Sequence, residues 1–179
     1  MKKENMKKEI VYAFIDSQNL NLGVSKSIRR NRKLLYKGWK LDFKRFRVYL
    51  SDKHKVNKAF VFIGKLPGNE ELYRRLKAFG FTLIFKPILE VTKNGKPVVK
   101  GNVDAELVLH SMIEYPNYSQ AVIVSGDGDF HCLVEYLDRK QKLKCLLVPN
   151  RLSCSRLLWR FGKHMSYVHT LKGKLELKK

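Results

Sequence analysis

Residues 11–19 read VYAFIDSQN: five apolar residues in a row, then an aspartate, then a polar turn. A strand apolar on both faces is one covered on both faces, so this run reads as a buried central strand of an α/β sheet. The strand is expected over 10–15, stopped by Asp16. The same grammar returns in AVIVSGDGDF (121–130), where a β-branched run ends at Asp127 and Asp129. A fourth aspartate, Asp104 in KGNVDAELV (100–108), stands near an expected helix start. In an open α/β sheet the carboxyl ends of neighbouring strands share one rim, and ligands bind there. Four carboxylates converging on such a rim repel one another unless a divalent cation, Mg2+ or Mn2+, lies among them. This is the residue chemistry of metal-dependent phosphodiester hydrolysis.

Outward from these segments, strands and helices alternate. Further strands are expected over 58–63, 81–89 and 144–148, with an edge strand over 165–171. Helices are expected over 41–50, 69–79, 104–114, 130–139 and 153–161, with Asp42, Asn69 and Asp129 as caps. A loop or short helix follows Asp16. Asn94-Gly95 signals a tight hairpin-like turn. The basic stretch RRNRKLLYKGWK (29–40) reads as a flexible surface excursion. The alternation calls for a three-layer α/β/α sandwich on a mostly parallel sheet of five or six strands. A single domain is expected over 10–171, with a basic extension at 1–9 and a basic tail at 172–179.

The chain has 179 residues, with 37 Lys and Arg against 16 Asp and Glu, a net charge of +21. So lopsided a balance points to a polyanionic partner, foremost nucleic acid. Between Lys26 and Lys58 thirteen cations face two acids, Asp42 and Asp52. Arg29, Arg30, Arg32 and Lys33 are therefore candidate phosphate contacts, as are Lys100 and Ser125 beside the acids. Tyr36 and Trp39, interleaved with cations, are candidates for stacking on unpaired bases. Trp159 and Phe161 are expected to pack the last helix on the sheet. The three cysteines lack C-x-x-C spacing, so neither a zinc site nor a disulfide framework follows. No run reaches the length of a membrane span or a signal peptide, and a cytoplasmic protein is expected. A homodimer is allowed.

Each acid has a structural alternative. Asp129 and Asp104 can cap helices, and Asn19 can form an Asx turn. Asp16 is harder to explain that way, since an acid ending an apolar strand has little structural purpose. Gly126 and Gly128 are expected to let the backbone bend and a phosphate approach. His110 lies one turn after Glu106, within reach of a paired arrangement, and His131 follows the acidic loop.

FIDSQNL, KGNVDAELV and VIVSGDGDF, in that order, resemble the three signatures of the NYN domain, a group within the PIN-like nuclease superfamily. The resemblance runs from about 11 to 165. It implies an α/β/α sandwich with a metal-binding acidic pocket, and ribonuclease activity dependent on Mg2+ or Mn2+. It makes Asp16 the first acid with Asn19 as polar companion, Asp104 the second, and Asp127 and Asp129 the last. Many relatives carry a further Asp where this chain has His110, and an imidazole does not replace a hard oxygen ligand. SGDGDF is also similar to the last acidic motif of haloacid-dehalogenase-type phosphatases. Those need a second acid two residues after the first aspartate, and Gln18 stands there.

Overall fold

The computed structural model describes residues 9–86, 89–93, 96–100 and 104–178, the strands at 89–93 and 96–100 by backbone alone. The expected Asn94-Gly95 turn, and residues 1–8 of the expected basic extension, lie outside the described residues. The apolar run that opened the reading is strand β1 (Val11–Asp16), and Asp16 caps the helix that follows, α1 (Ser17–Ser25). The basic stretch after it is no loose excursion. It forms an antiparallel hairpin, β2 (Ile28–Arg30) and β3 (Lys33–Tyr36), whose turn residues Asn31 and Arg32 have φ of 49° and 62°. Two left-handed residues in succession give the turn a twist that matches paired strands.

Asp42 caps α2 (Phe43–His54), its carboxylate accepting from the Arg45 N–H at 3.1 Å. β4 (Val56–Gly64), α3 (Glu70–Ala78) and β5 (Phe81–Lys86) follow. Gly80, with φ of 88°, ends α3, as its position after an apolar helix suggests. The expected strand over 81–89 ends early. A second antiparallel hairpin, β6 (Leu89–Lys93) and β7 (Lys96–Lys100), stands apart from the main sheet. Then come α4 (Asp104–Ile113), β8 (Gln120–Val124), α5 (His131–Arg139), β9 (Leu143–Val148), β10 (Met165–Tyr167) and α6 (Lys172–Leu175).

The main sheet has six strands in the order β10-β9-β8-β1-β4-β5, every neighbouring pair parallel. Alternate residues of each strand feed opposite cores. Val11, Ala13 and Ile15 pack with α1, α2 and Leu76 of α3, while Phe14, Phe60 and Phe62 pack with Leu107 of α4 and Leu133 and Leu137 of α5. This is the three-layer sandwich that the alternation of strands and helices calls for.

Three further expectations change. The segment expected as a helix over 153–161 is instead two 3-10 stretches, Arg151–Ser153 and Arg156–His164. The Ser155 N–H donates to the Gly126 carbonyl at 2.9 Å, which holds the chain out of a continuous helix. The expected tail beyond 171 is bound to the domain. Leu175 is buried, its carbonyl accepts from the Asp42 N–H, and the Leu177 N–H donates to the Lys40 carbonyl, both at 2.8 Å. Asp129 does not cap α5, because a 3-10 turn (Gly128–Phe130) intervenes and Asp127 caps that turn, accepting from the Asp129 N–H at 3.1 Å. Among the described residues no helix is long and apolar enough to cross a membrane.

Candidate acidic cleft

β1 lies at the centre of the sheet. The chain runs outward from it through β4 to β5, then returns to its other side through β8, β9 and β10. The strand order therefore reverses at β1, and the crevice beyond the carboxyl ends of β1 and β8 is the switch point where such sheets bind ligands. A cavity of about 390 Å³ opens there, lined by Asp16, Asn19, Lys26, Asp104, Asp127 and Ser153 among others. Three of the four expected acids thus line one cavity. Asp129, exposed on the adjoining turn, is not among the lining residues.

A chain of hydrogen bonds holds the floor. Asp16 Oδ1 accepts from the Asn19 N–H at 2.9 Å, and Asp16 Oδ2 accepts from the Ser125 hydroxyl at 3.4 Å. Ser125 Oγ accepts in turn from the Asp127 N–H at 3.2 Å, while Asn19 Oδ1 accepts from the Gly126 N–H at 2.9 Å. Asp16 is therefore both helix cap and cleft acid, which gives it the structural purpose its sequence context did not suggest. Asn19 forms no Asx turn of its own; it ties α1 to the acid loop. Ser125, expected to contact substrate, is fully buried and braces the two aspartates instead.

The electrostatics are those of crowded carboxylates. Burial pushes the Asp16 carboxyl up to about 6 from its usual 3.8. The Asn19 N–H opposes the shift, and the negative charges of Asp104 and then Asp127 add to it. That mutual repulsion is what a bound cation relieves, and hard carboxylate oxygens are the donors Mg2+ and Mn2+ take. Among the described residues no three His, Cys, Asp or Glu groups are drawn tightly enough together to hold an ion. The donor set fits in chemistry and is open in geometry.

The remaining candidates divide. Arg29, Arg30, Arg32 and Lys33 are all exposed on the β2–β3 hairpin, and Ile28 at its base lines the cleft. Lys100 lies on β7, where the side chains are outside the described residues. Trp39 is only 5% exposed and packs in the core, and the Tyr36 hydroxyl donates to the Val24 carbonyl at 2.6 Å. Neither ring is presented for stacking on a base, because the hairpin folds back and seats them against α1. His110 packs on the Phe62 ring at 5.7 Å, the partial-core role usual for such a histidine, and Glu106 lies 3.3 Å from Lys86 Nζ rather than in the pair its spacing allowed with His110. His131 packs on Phe161 at 5.5 Å. Lys26 and Ser153 went unnoticed in the sequence as cleft residues; Lys26 was readable only as one cation in a basic run. Gly126 and Gly128 have no left-handed φ. A Cβ on Gly128 would stand 2.5 Å from Ser155 Oγ, so its smallness admits the protein's own chain.

Sheet order and switch-point cleft are those of a PIN-like α/β domain. The pattern of the NYN domain matches residues 11–158, and the chain belongs to that family. It is 27% identical over 135 residues to the Low amplitude and bright protein LabA of Synechococcus elongatus, covering 72% of this chain and 67% of that one. A crystal structure of a Vibrio parahaemolyticus protein of unknown function superposes with a TM-score of 0.69. That match covers 94% of this chain and 96% of the other at 22% identity, a likeness of fold.

Proposed function

We propose that this chain is a metal-dependent ribonuclease that hydrolyses RNA phosphodiester bonds. The observation that carries the reading is that Asp16, Asp104 and Asp127 line one cavity at the switch point. Asp16, Asp104 and Asp127 would hold Mg2+ or Mn2+, with Asp129 beside them. A cation so held supplies an activated water and charge neutralisation at the phosphate. The protein's own part is positional. Ser125 and Asn19 fix the two acid-bearing loops against each other, and the capped α1 keeps Asp16 at the cleft floor. Lys26 in the cleft and the four cations of the β2–β3 hairpin suit an RNA backbone approaching the acids.

Labelled RNA and DNA panels incubated with Mg2+, Mn2+ or EDTA test this. RNA cleavage is expected with either metal, none in EDTA, and a loss of roughly a hundredfold or more in Asp127→Asn. Cleavage that survives both Asp16→Asn and Asp127→Asn unchanged would overturn the reading. One observation favours a second reading, a binding module without turnover: among the described residues no three candidate ligands are close enough to grip an ion. Tight, salt-sensitive RNA binding with no cleavage under any metal would select it.

A further inference from the structure

The chain has two tryptophans, and they have opposite surroundings. Trp39 is buried, whereas Trp159 is 56% exposed, with Leu157 at 60% and Leu152 at 53% nearby in sequence. Isolated exposed apolar residues are ordinary, but an exposed indole beside a guanidinium is a face suited to stacking. The geometry explains why the indole faces out. The 3-10 stretch Arg156–His164 is kinked at Phe161, with φ of −92° and ψ of 22°, and Leu158 and Phe161 are both turned inward, fully or almost fully buried. Arg156 and Trp159 are both exposed, with the guanidinium 5.9 Å from the indole centroid. The stretch RLSCSRLLWRFGKH (151–164) holds Arg151, Arg156, Arg160 and Lys163 and no acid. Arg160 and Lys163 pair with Glu135 and Asp138 of α5, at 3.2 and 3.3 Å. Arg151 and Arg156 are exposed.

The chain that leads into this stretch adjoins the acidic cleft. Ser153 lines the cleft, Ser155 is hydrogen-bonded to Gly126 of the acid loop, and Gly128 lies hard against Ser155 and Leu157. We propose that Trp159, flanked by Arg156, is a stacking platform for an unpaired base of RNA whose backbone crosses the cleft. An indole face with a guanidinium neighbour holds a base by stacking and its phosphates by charge, without reading the base's identity. In a duplex the base faces are already stacked on their neighbours. The substrate is therefore single-stranded beside the reacting phosphate. The proposal rests on the ribonuclease reading for its substrate class.

The two-tryptophan composition supplies the test. Protein in EDTA, where nothing turns over, is titrated with a short single-stranded oligoribonucleotide and with the same sequence as a duplex, following tryptophan emission. The single strand is expected to quench emission in the wild type and not in Trp159→Leu. That variant should lose roughly tenfold in single-strand affinity and less than about twofold in duplex affinity, with Trp159→Phe retaining most of the binding. Equal losses for both nucleic acids, or unchanged single-strand affinity, would overturn the platform. So would self-association that Trp159→Leu abolishes and RNA does not compete, which would assign the patch to a second copy of the chain. A chain that stacks RNA on Trp159 yet cleaves nothing with either metal defeats the nuclease reading alone. One that cleaves with no dependence on Trp159 defeats the platform alone.

Discussion

At the scale of single residues, Asp16 concentrates the problem the cleft has to solve. Its carboxyl caps α1, and burial, with the charges of Asp104 and Asp127, raises it to about 6 against the opposing pull of the Asn19 N–H. A group raised in this way binds its proton more tightly in the folded than in the unfolded protein. Its stabilisation is complete below the ordinary 3.8 and is lost as pH rises through about 6. In EDTA, the stability difference between wild type and Asp16→Asn should therefore open between these two values. Asparagine keeps an oxygen that can cap α1 and removes the buried charge. At pH 7 the variant should be more stable than the wild type by up to ~3 kcal/mol, read from urea unfolding. A variant less stable at pH 7 would mean that the carboxylate is stabilised in the fold rather than strained. If Asp16 holds the proposed cation, proton and Mn2+ compete for the same oxygens, and stabilisation of the wild type by Mn2+ should grow as pH rises through 6.

At the scale of elements, the sequence was most legible where one pattern had one physical meaning. The all-apolar strands at β1 and β8 could only be central, and the acids ending them could only lie on a common rim. Legibility failed where a side chain answered to a distant partner. The 29–40 stretch looked like solvated loop because its cations are exposed, but its shape is set by the Asn31–Arg32 turn and by Gly38. A Cβ on Gly38 would stand 1.9 Å from the Ser25 carbonyl oxygen, so only glycine lets the strand end pass over α1 and deliver Trp39 into the core. The same distant logic reversed the two tryptophans. Trp39 follows the glycine inward, while Trp159 stands exposed between the inward-turned Leu158 and Phe161. Gly38→Ala has backbone, not a flexible side chain, in its way. It should cost about 2–3 kcal/mol, measured as a fall in the urea midpoint with unchanged slope. A midpoint equal to the wild type would show that the hairpin base shifts freely and does not fix the cations beside the cleft.

At the scale of the whole molecule, +21 charge and one acidic cleft are complementary parts of one arrangement. A cation-holding site in a strongly basic protein depends on local burial and paired acids, because the surrounding field repels metal ions while it draws in polyanions. Ile28 of the basic β2–β3 hairpin and Ser153 of the basic 151–163 segment both line the cleft, so the RNA strand proposed to reach the aspartates would pass cations of both. Each phosphate neutralised releases condensed counterions, and for single strands each contributes about 0.7 to the slope of log affinity against log salt. If Arg29, Arg30, Arg32 and Lys33 each engage a phosphate, replacing all four by alanine should flatten that slope by about 3. All four side chains are exposed, so the fold should be kept, and unchanged unfolding would confirm it. The measurement is binding of a single-stranded oligoribonucleotide in EDTA across a salt series. A weakened affinity with an unchanged slope would mean that the hairpin acts through shape rather than charge. An unchanged affinity would move the RNA path off the hairpin and leave the 151–163 segment as its basic wall.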